Sequence, residues 1–159
     1  MDMIRRTVLK GIGASGVLSA ALVAGVLKPT QVFAAEEWNK AAFETKDLGA
    51  ALKAIGAGAT PAESSDIVLG APEIAENGAV VPITVTSKIP NTVSIALFAL
   101  KNPLPLTCSF DFTEGAQGDV QVRIRLAETT AVRAVVKTGD GKLFSTQKEV
   151  KVTVGGCGG

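Results

Sequence analysis

The chain has 159 residues, 16 Lys+Arg against 15 Asp+Glu, a net charge of +1, two Cys, one Trp, and neither His nor Tyr. That length suits one domain with an appendage, and the balanced, scattered charge supplies no basic patch for a nucleic-acid partner. Without His, Ser-His-Asp, Cys-His and His-ligated zinc chemistry are closed, and two Cys cannot complete a four-thiolate metal site, so neither catalytic residues nor metal ligands are expected.

The first segment reads as an address. Arg5-Arg6 is followed by Leu9-Lys10, a charge-free stretch from Gly11 to Leu27, and Lys28-Pro29-Thr30-Gln31-Val32-Phe33-Ala34-Ala35. Paired Arg, an apolar middle and a small-residue end make an export signal of the twin-arginine type over 1–34, with cleavage after Ala34 or Ala35. The middle is rich in Gly, Ala and Ser and falls short of the roughly 20 apolar residues of a membrane span, so no permanent anchor is expected. Removal of residues 1–34 takes away Arg5, Arg6, Lys10, Lys28 and Asp2 and leaves a net charge of −2. Export places the chain in the periplasm, where an oxidising milieu makes a persistently free thiol unusual.

Residues 35–60 form a helical lead. Trp38, Ala42, Leu48, Leu52 and Ile55 recur at roughly helical intervals, Thr45 to Asp47 and Gly49 suggest a break into two helices, and Gly56, Gly58 and Pro61 end them. Alternation then takes over across 61–154. Strands are expected over 66–69, 80–86, 93–100, 106–112, 120–126, 131–137 and 143–154, the last with a break. Asn77-Gly78, Pro90-Asn91, Asn102-Pro103, Glu114-Gly115 and Asp140-Gly141 supply the turns. Seven short strands in about 90 residues predict an all-β fold: an immunoglobulin-like antiparallel β-sandwich lacking the Cys and Trp signature of antibody domains. Strand 93–100 is apolar on both faces, Val93, Ile95, Leu97 and Ala99 against Ala96, Phe98 and Leu100. It needs a second cover, either the helical lead or another protein.

The chain ends on Val-Lys-Val-Thr-Val followed by Gly155-Gly156-Cys157-Gly158-Gly159. Glycine has no side chain to bury and loses the most entropy on ordering, so this segment is expected to be a flexible arm. Nothing bulky flanks the sulfur, which suits a thiol that must enter a narrow active site. A thiolate is nucleophilic and forms reversible bonds to sulfur, yet no Lys or Arg lies inside the arm to activate Cys157. It reads as a handle for other enzymes. Cys108, in Leu106-Thr107-Cys108-Ser109-Phe110, reads as a small buried hydrophobe on a strand, although a disulfide to Cys157 is open if the arm folds back.

The terminal Gly-Gly-Cys-Gly-Gly behind a twin-arginine signal resembles the SoxY family of sulfur carriers of the thiosulfate-oxidising Sox system. Glu76-Asn77-Gly78 leading into Val81-Pro82-Ile83, and Lys101-Asn102-Pro103, agree more loosely. Cys108 departs from the family's single-Cys pattern. The resemblance implies a covalent carrier rather than an enzyme, with no resident cofactor. Cys157 would receive thiosulfate at the haem protein SoxAX, SoxB would hydrolyse the adduct to release sulfate, and SoxCD-like enzymes would oxidise the remaining sulfane sulfur. It also implies a SoxZ-like companion in a heterodimer or larger assembly, and the doubly apolar strand places that interface at Ile95 and Phe98.

Three other readings remain. Gly158-Gly159 also ends the ubiquitin-like carriers that hold sulfur as a thiocarboxylate, but those are cytoplasmic and mix strands with helix. A structural or adhesive domain would use Cys157 in an intermolecular disulfide. An enzyme is least supported, because Asp66, Glu73, Glu76, Asp111, Glu114 and Asp119 lie mainly near strand ends with no spacing that pairs them.

Overall fold

The structure, a computed structural model, describes residues 38–56, 60–113 and 115–154. The export signal with Arg5 and Arg6, and the arm Gly155, Gly156, Cys157, Gly158 and Gly159, lie outside the described residues.

Two short helices open the described fold, α1 (Lys40–Glu44) and α2 (Leu48–Ala54). Each starts on a side-chain cap: Asn39 Oδ1 accepts from the Ala42 amide at 3.2 Å, and Asp47 Oδ1 from that of Ala50 at 2.6 Å. The break falls at Thr45, whose extended backbone ends α1, while Gly49 is simply carried inside α2. Asn39 Nδ2 donates to the Ala54 carbonyl at 2.6 Å, tying the start of α1 to the end of α2. Gly56, at φ +90°, turns the chain out of the helix.

Nine strands follow among the described residues: β1 (Ala62–Glu63), β2 (Ile67–Gly70), β3 (Ile74–Ala75), β4 (Val81–Ser87), β5 (Thr92–Ala99), β6 (Leu106–Asp111), β7 (Asp119–Ile124), β8 (Thr130–Thr138) and β9 (Leu143–Val152). One sheet has the order β1-β9-β8-β5-β6, with β3 also on β9, and the other is β2-β4-β7. This is the expected all-β, immunoglobulin-like sandwich. The seven strands read from alternation are present, most with ends shifted by a residue or two. The two that alternation does not announce, β1 and β3, have only two residues each. Both run parallel to β9 along one edge, β1 at Phe144 and Ser145 near its start and β3 at Lys151 and Val152 near its end.

The main core lies between the sheets. β4 contributes Val81, Ile83 and Val85 at alternate positions, β5 Ile95, Leu97 and Ala99, β8 Val132, Ala134 and Val136, and β9 Val150. The opposite face of β5 belongs to a second core, where Ala96 and Phe98 join Leu106 and Val135 beneath Ala42 and Ala51 of the helices, with Phe43, Leu48, Leu52 and Ile55 packed around them. The second cover of the doubly apolar strand is therefore the chain's own helical lead. Ile95 and Phe98 are both 0% exposed, which corrects the expectation that they form a partner interface. An amphipathic helix pair needs an apolar floor, and this strand supplies it.

Candidate functional site: the root of the C-terminal arm

The arm departs from the end of β9, and that end is held differently from the rest of the strand. Pairing with β8 stops at Val150, opposite Thr130. Beyond it the Lys151 amide donates to the Glu73 carbonyl at 2.9 Å and the Thr153 amide to Ala75 at 3.1 Å. Thr153 Oγ1 donates to the Glu76 carbonyl at 3.0 Å, and the Val154 carbonyl accepts from the Gly78 amide at 2.8 Å. Gly78 also accepts from the Leu126 amide at 2.7 Å. On the other side, the Val152 amide donates to Thr129 Oγ1 at 2.9 Å.

The neighbouring loops are tied by side chains. Asn77 Oδ1 accepts from the Ala79 amide at 2.8 Å, the side-chain turn that presents both backbone groups of Gly78. Asn102 Nδ2 donates to the Arg125 carbonyl at 2.8 Å while its Oδ1 accepts from the Ala127 amide at 2.9 Å. Thr130 Oγ1 accepts from the Lys101 amide at 3.0 Å. Ile74, Val80 and Val154, around the root, are each more than half exposed. Two residues, Gly155 and Gly156, separate Val154 from Cys157, and three Cα–Cα steps of extended chain span at most about 11 Å.

Cys108 sits on β6 opposite Leu97, half-buried against the main core, and is a free thiol. Burial pushes its pKa up, opposed by the contact with Thr107 Oγ1 at 3.9 Å. It is the less reactive kind of thiol. The acidic residues do not converge: among the described residues, no group of three or more Cys, Asp or Glu is placed to hold a metal ion. Asp119 accepts from Thr86 Oγ1 at 3.4 Å. The carbonyls of Asp66 and Glu73 serve in backbone pairing, and that of Glu76 accepts from the Thr153 hydroxyl. A cavity of about 550 Å³ lies between the 88–93 and 112–118 loops, and among the described residues its lining, which includes Ile89, Asn91, Phe112 and Gly118, carries no charged side chain. It is at the end of the sandwich away from the arm. Among the described residues no helix is long and apolar enough to cross a membrane.

A family model described as "Sulfur oxidation protein SoxY" matches residues 52–157, which takes in all nine strands of the sandwich, the arm's root and Cys157 itself. The chain belongs to the SoxY family. Among solved structures, the sulfur carrier protein SoxY from Chlorobium limicola f. thiosulfatophilum is 44% identical, with a TM-score of 0.55 over 61% of this chain and 88% of that one. A superoxide reductase (neelaredoxin) from Ignicoccus hospitalis has 21% identity and a TM-score of 0.48 over 54% of this chain and 79% of that one. A fibronectin(III)-like module of CbhA from Clostridium thermocellum has 18% identity and a TM-score of 0.43 over 54% and 93%. Neither of these last two carries an argument about function. A search of curated proteins found no match. For a SoxY family member, the tie between Glu76-Asn77-Gly78 and Val154 was not legible in the sequence, because a hydrogen bond across 76 residues leaves no local pattern.

Proposed function

We propose that this SoxY family member is a periplasmic sulfur carrier, exported by the twin-arginine route, that holds thiosulfate-derived intermediates covalently on Cys157. The observation that carries the reading is the family match, which extends through Cys157, on a sandwich whose last strand is fastened up to Val154. An anchored root with a short glycine-flanked thiol beyond it suits delivery of cargo into the active sites of other proteins. At the SoxAX haem protein the Cys157 thiol and thiosulfate join through a new S–S bond, the thiol proton going to solvent and two electrons leaving through the haem; SoxB hydrolyses the adduct to release sulfate, and SoxCD-like enzymes oxidise the remaining sulfane sulfur. The carrier supplies no catalytic group of its own. A SoxZ-like protein is its companion, docking elsewhere than through Ile95 and Phe98, whose side chains are fully enclosed.

Intact mass of the protein from thiosulfate-exposed periplasm, before and after reduction, tests this. The expected result is a reductant-sensitive addition of sulfur or thiosulfate mass that disappears in Cys157→Ser and persists in Cys108→Ser. A chain with no addition, or one present only as a disulfide dimer, overturns the carrier and leaves the structural domain. An addition that survives Cys157→Ser points instead to the terminal carboxylate.

A further inference from the structure

The last four described residues of β9 and its extension, Lys151 to Val154, have lost β8 as a neighbour, and β3 offers them only two paired positions. A strand end with so little pairing ordinarily frays. Here every one of the four is nonetheless held: Lys151 by Glu73, Val152 by Thr129, Thr153 by Ala75 and Glu76, and Val154 by Gly78. Three side chains and one turn make up the difference. Thr129 caps Val152, Thr153 closes on Glu76, Asn77 shapes the turn that aims the Gly78 amide at Val154, and Gly78 passes the load to Leu126. Asn102 braces the segment that carries Leu126, gripping Arg125 and Ala127 on either side of it.

We propose that Asn77, Asn102, Thr129 and Thr153 are positioning residues that fix where the arm leaves the sandwich and so set how efficiently Cys157 reaches an enzyme docked on the carrier. The inference rests on the carrier reading for its consequence, though not for its geometry. With the lattice intact, the tether between body and thiol is three residues. Releasing Thr153 and Val154 makes it five, and releasing Val152 as well makes it six. For a flexible tether the effective concentration at a fixed target falls roughly as the −3/2 power of length, so these steps dilute the thiol about twofold and about threefold. Glycine arms gain nothing from stiffness, so a short free length is the available means of concentrating the thiol.

The test pairs isosteric variants. Thr129→Val with Thr153→Val removes both hydroxyls at the root, and Thr138→Val removes a comparable hydroxyl at the opposite end of the same sheet, where it bonds Asp140 and the Lys142 carbonyl. In a Cys108→Ser background, nitroxides on Cys157 and on Arg123→Cys report the spread of distances by pulsed EPR. Transfer of thiosulfate to Cys157 by the purified conjugating haem protein is followed by mass. The root pair is expected to widen the distance distribution and slow transfer by up to about threefold, the limit in which 152–154 are all released, with the rate of reaction of Cys157 with a small disulfide reagent unchanged. Thr138→Val is expected to change none of the three. An unaltered distribution in the root pair, or equal broadening in Thr138→Val, overturns the proposal. Should the root pair fail to fold, Asn102→Ala takes its place with the same readouts. Broadening in a protein that accepts no thiosulfate in its wild-type form keeps the positioning role and sinks the carrier reading instead.

Discussion

The two cysteines differ in kind because of what surrounds each. Cys108 lies half-buried on β6 and burial raises its pKa, whereas Cys157 follows Val154 with only glycine beside it. Cys157 is expected to react with a thiol reagent at neutral pH well before Cys108, a difference that mass spectrometry of timed alkylation reads directly. The raised pKa also has a sign for stability. Below the ordinary thiol pKa both folded and unfolded chains are neutral at Cys108. As pH rises through it the unfolded chain ionises first, so stability declines on the alkaline side. Cys108→Ala is expected to flatten that decline in denaturant midpoints taken from pH 8 to 10.5. Asp140 shows the opposite case at the β8–β9 turn. Lys142, whose Nζ lies 2.8 Å away, and the Thr138 hydroxyl hold its carboxyl at a pKa of about 2. The group therefore favours the fold above its unfolded pKa and ceases to as pH falls through about 2, and its carboxyl carbon should titrate by NMR with that midpoint. Because the pair is fully exposed, it contributes little to stability.

At the scale of elements, the helical lead and β5 depend on one another. Phe98 is among the largest fully buried side chains, and its neighbours come from α1, α2, β6 and β8. Phe98→Ala is expected to cost about 3–5 kcal/mol in chemical denaturation, the usual range for a buried aromatic. Losing either helix cap, by Asn39→Ala or Asp47→Ala, should cost about 1 kcal/mol. The strands were legible because β4 and β7 alternate over six or more residues and β5 and β8 are apolar, β-branched runs bounded by turn residues, and Val120, Val122 and Ile124 against Gln121 and Arg123 leave little choice of face. The helix break was legible from Thr45 to Asp47, since Thr and Asp favour caps over helix interiors. What covers β5 was not. An apolar strand face states that a cover exists and nothing of its source, and the helices' own apolar residues lie some forty to sixty positions earlier in the chain. The strands β1 and β3 were equally hidden, because two residues make no period and their partner is remote. The arm's residue types were plain in the sequence, whereas the network at its root depends on backbone groups and, apart from Asn77 with its local turn, on Asn102, Thr129 and Thr153 side chains whose partners lie from 23 to 77 positions away.

Over the whole molecule, pairing runs between the two ends of the sequence. β9, the last strand, sits between β8 and the two early strands β1 and β3, and Thr153 bonds a residue 77 positions before it. Contacts that span most of a domain close slowly, because the loop entropy is spent before the contact repays it. The order of synthesis adds a further constraint. Until β9 has left the ribosome, β1 and β3 have no neighbour, β8 is an open edge, and the place Val150 fills in the main core is empty. The sandwich therefore closes only once β9 has been made, and Cys157, five residues beyond the end of that strand, is made later still. A nascent chain truncated anywhere before Leu143 is expected to remain protease-sensitive, while the full-length chain becomes resistant after release. A carrier built in this order presents its cysteine on a body that has already been completed.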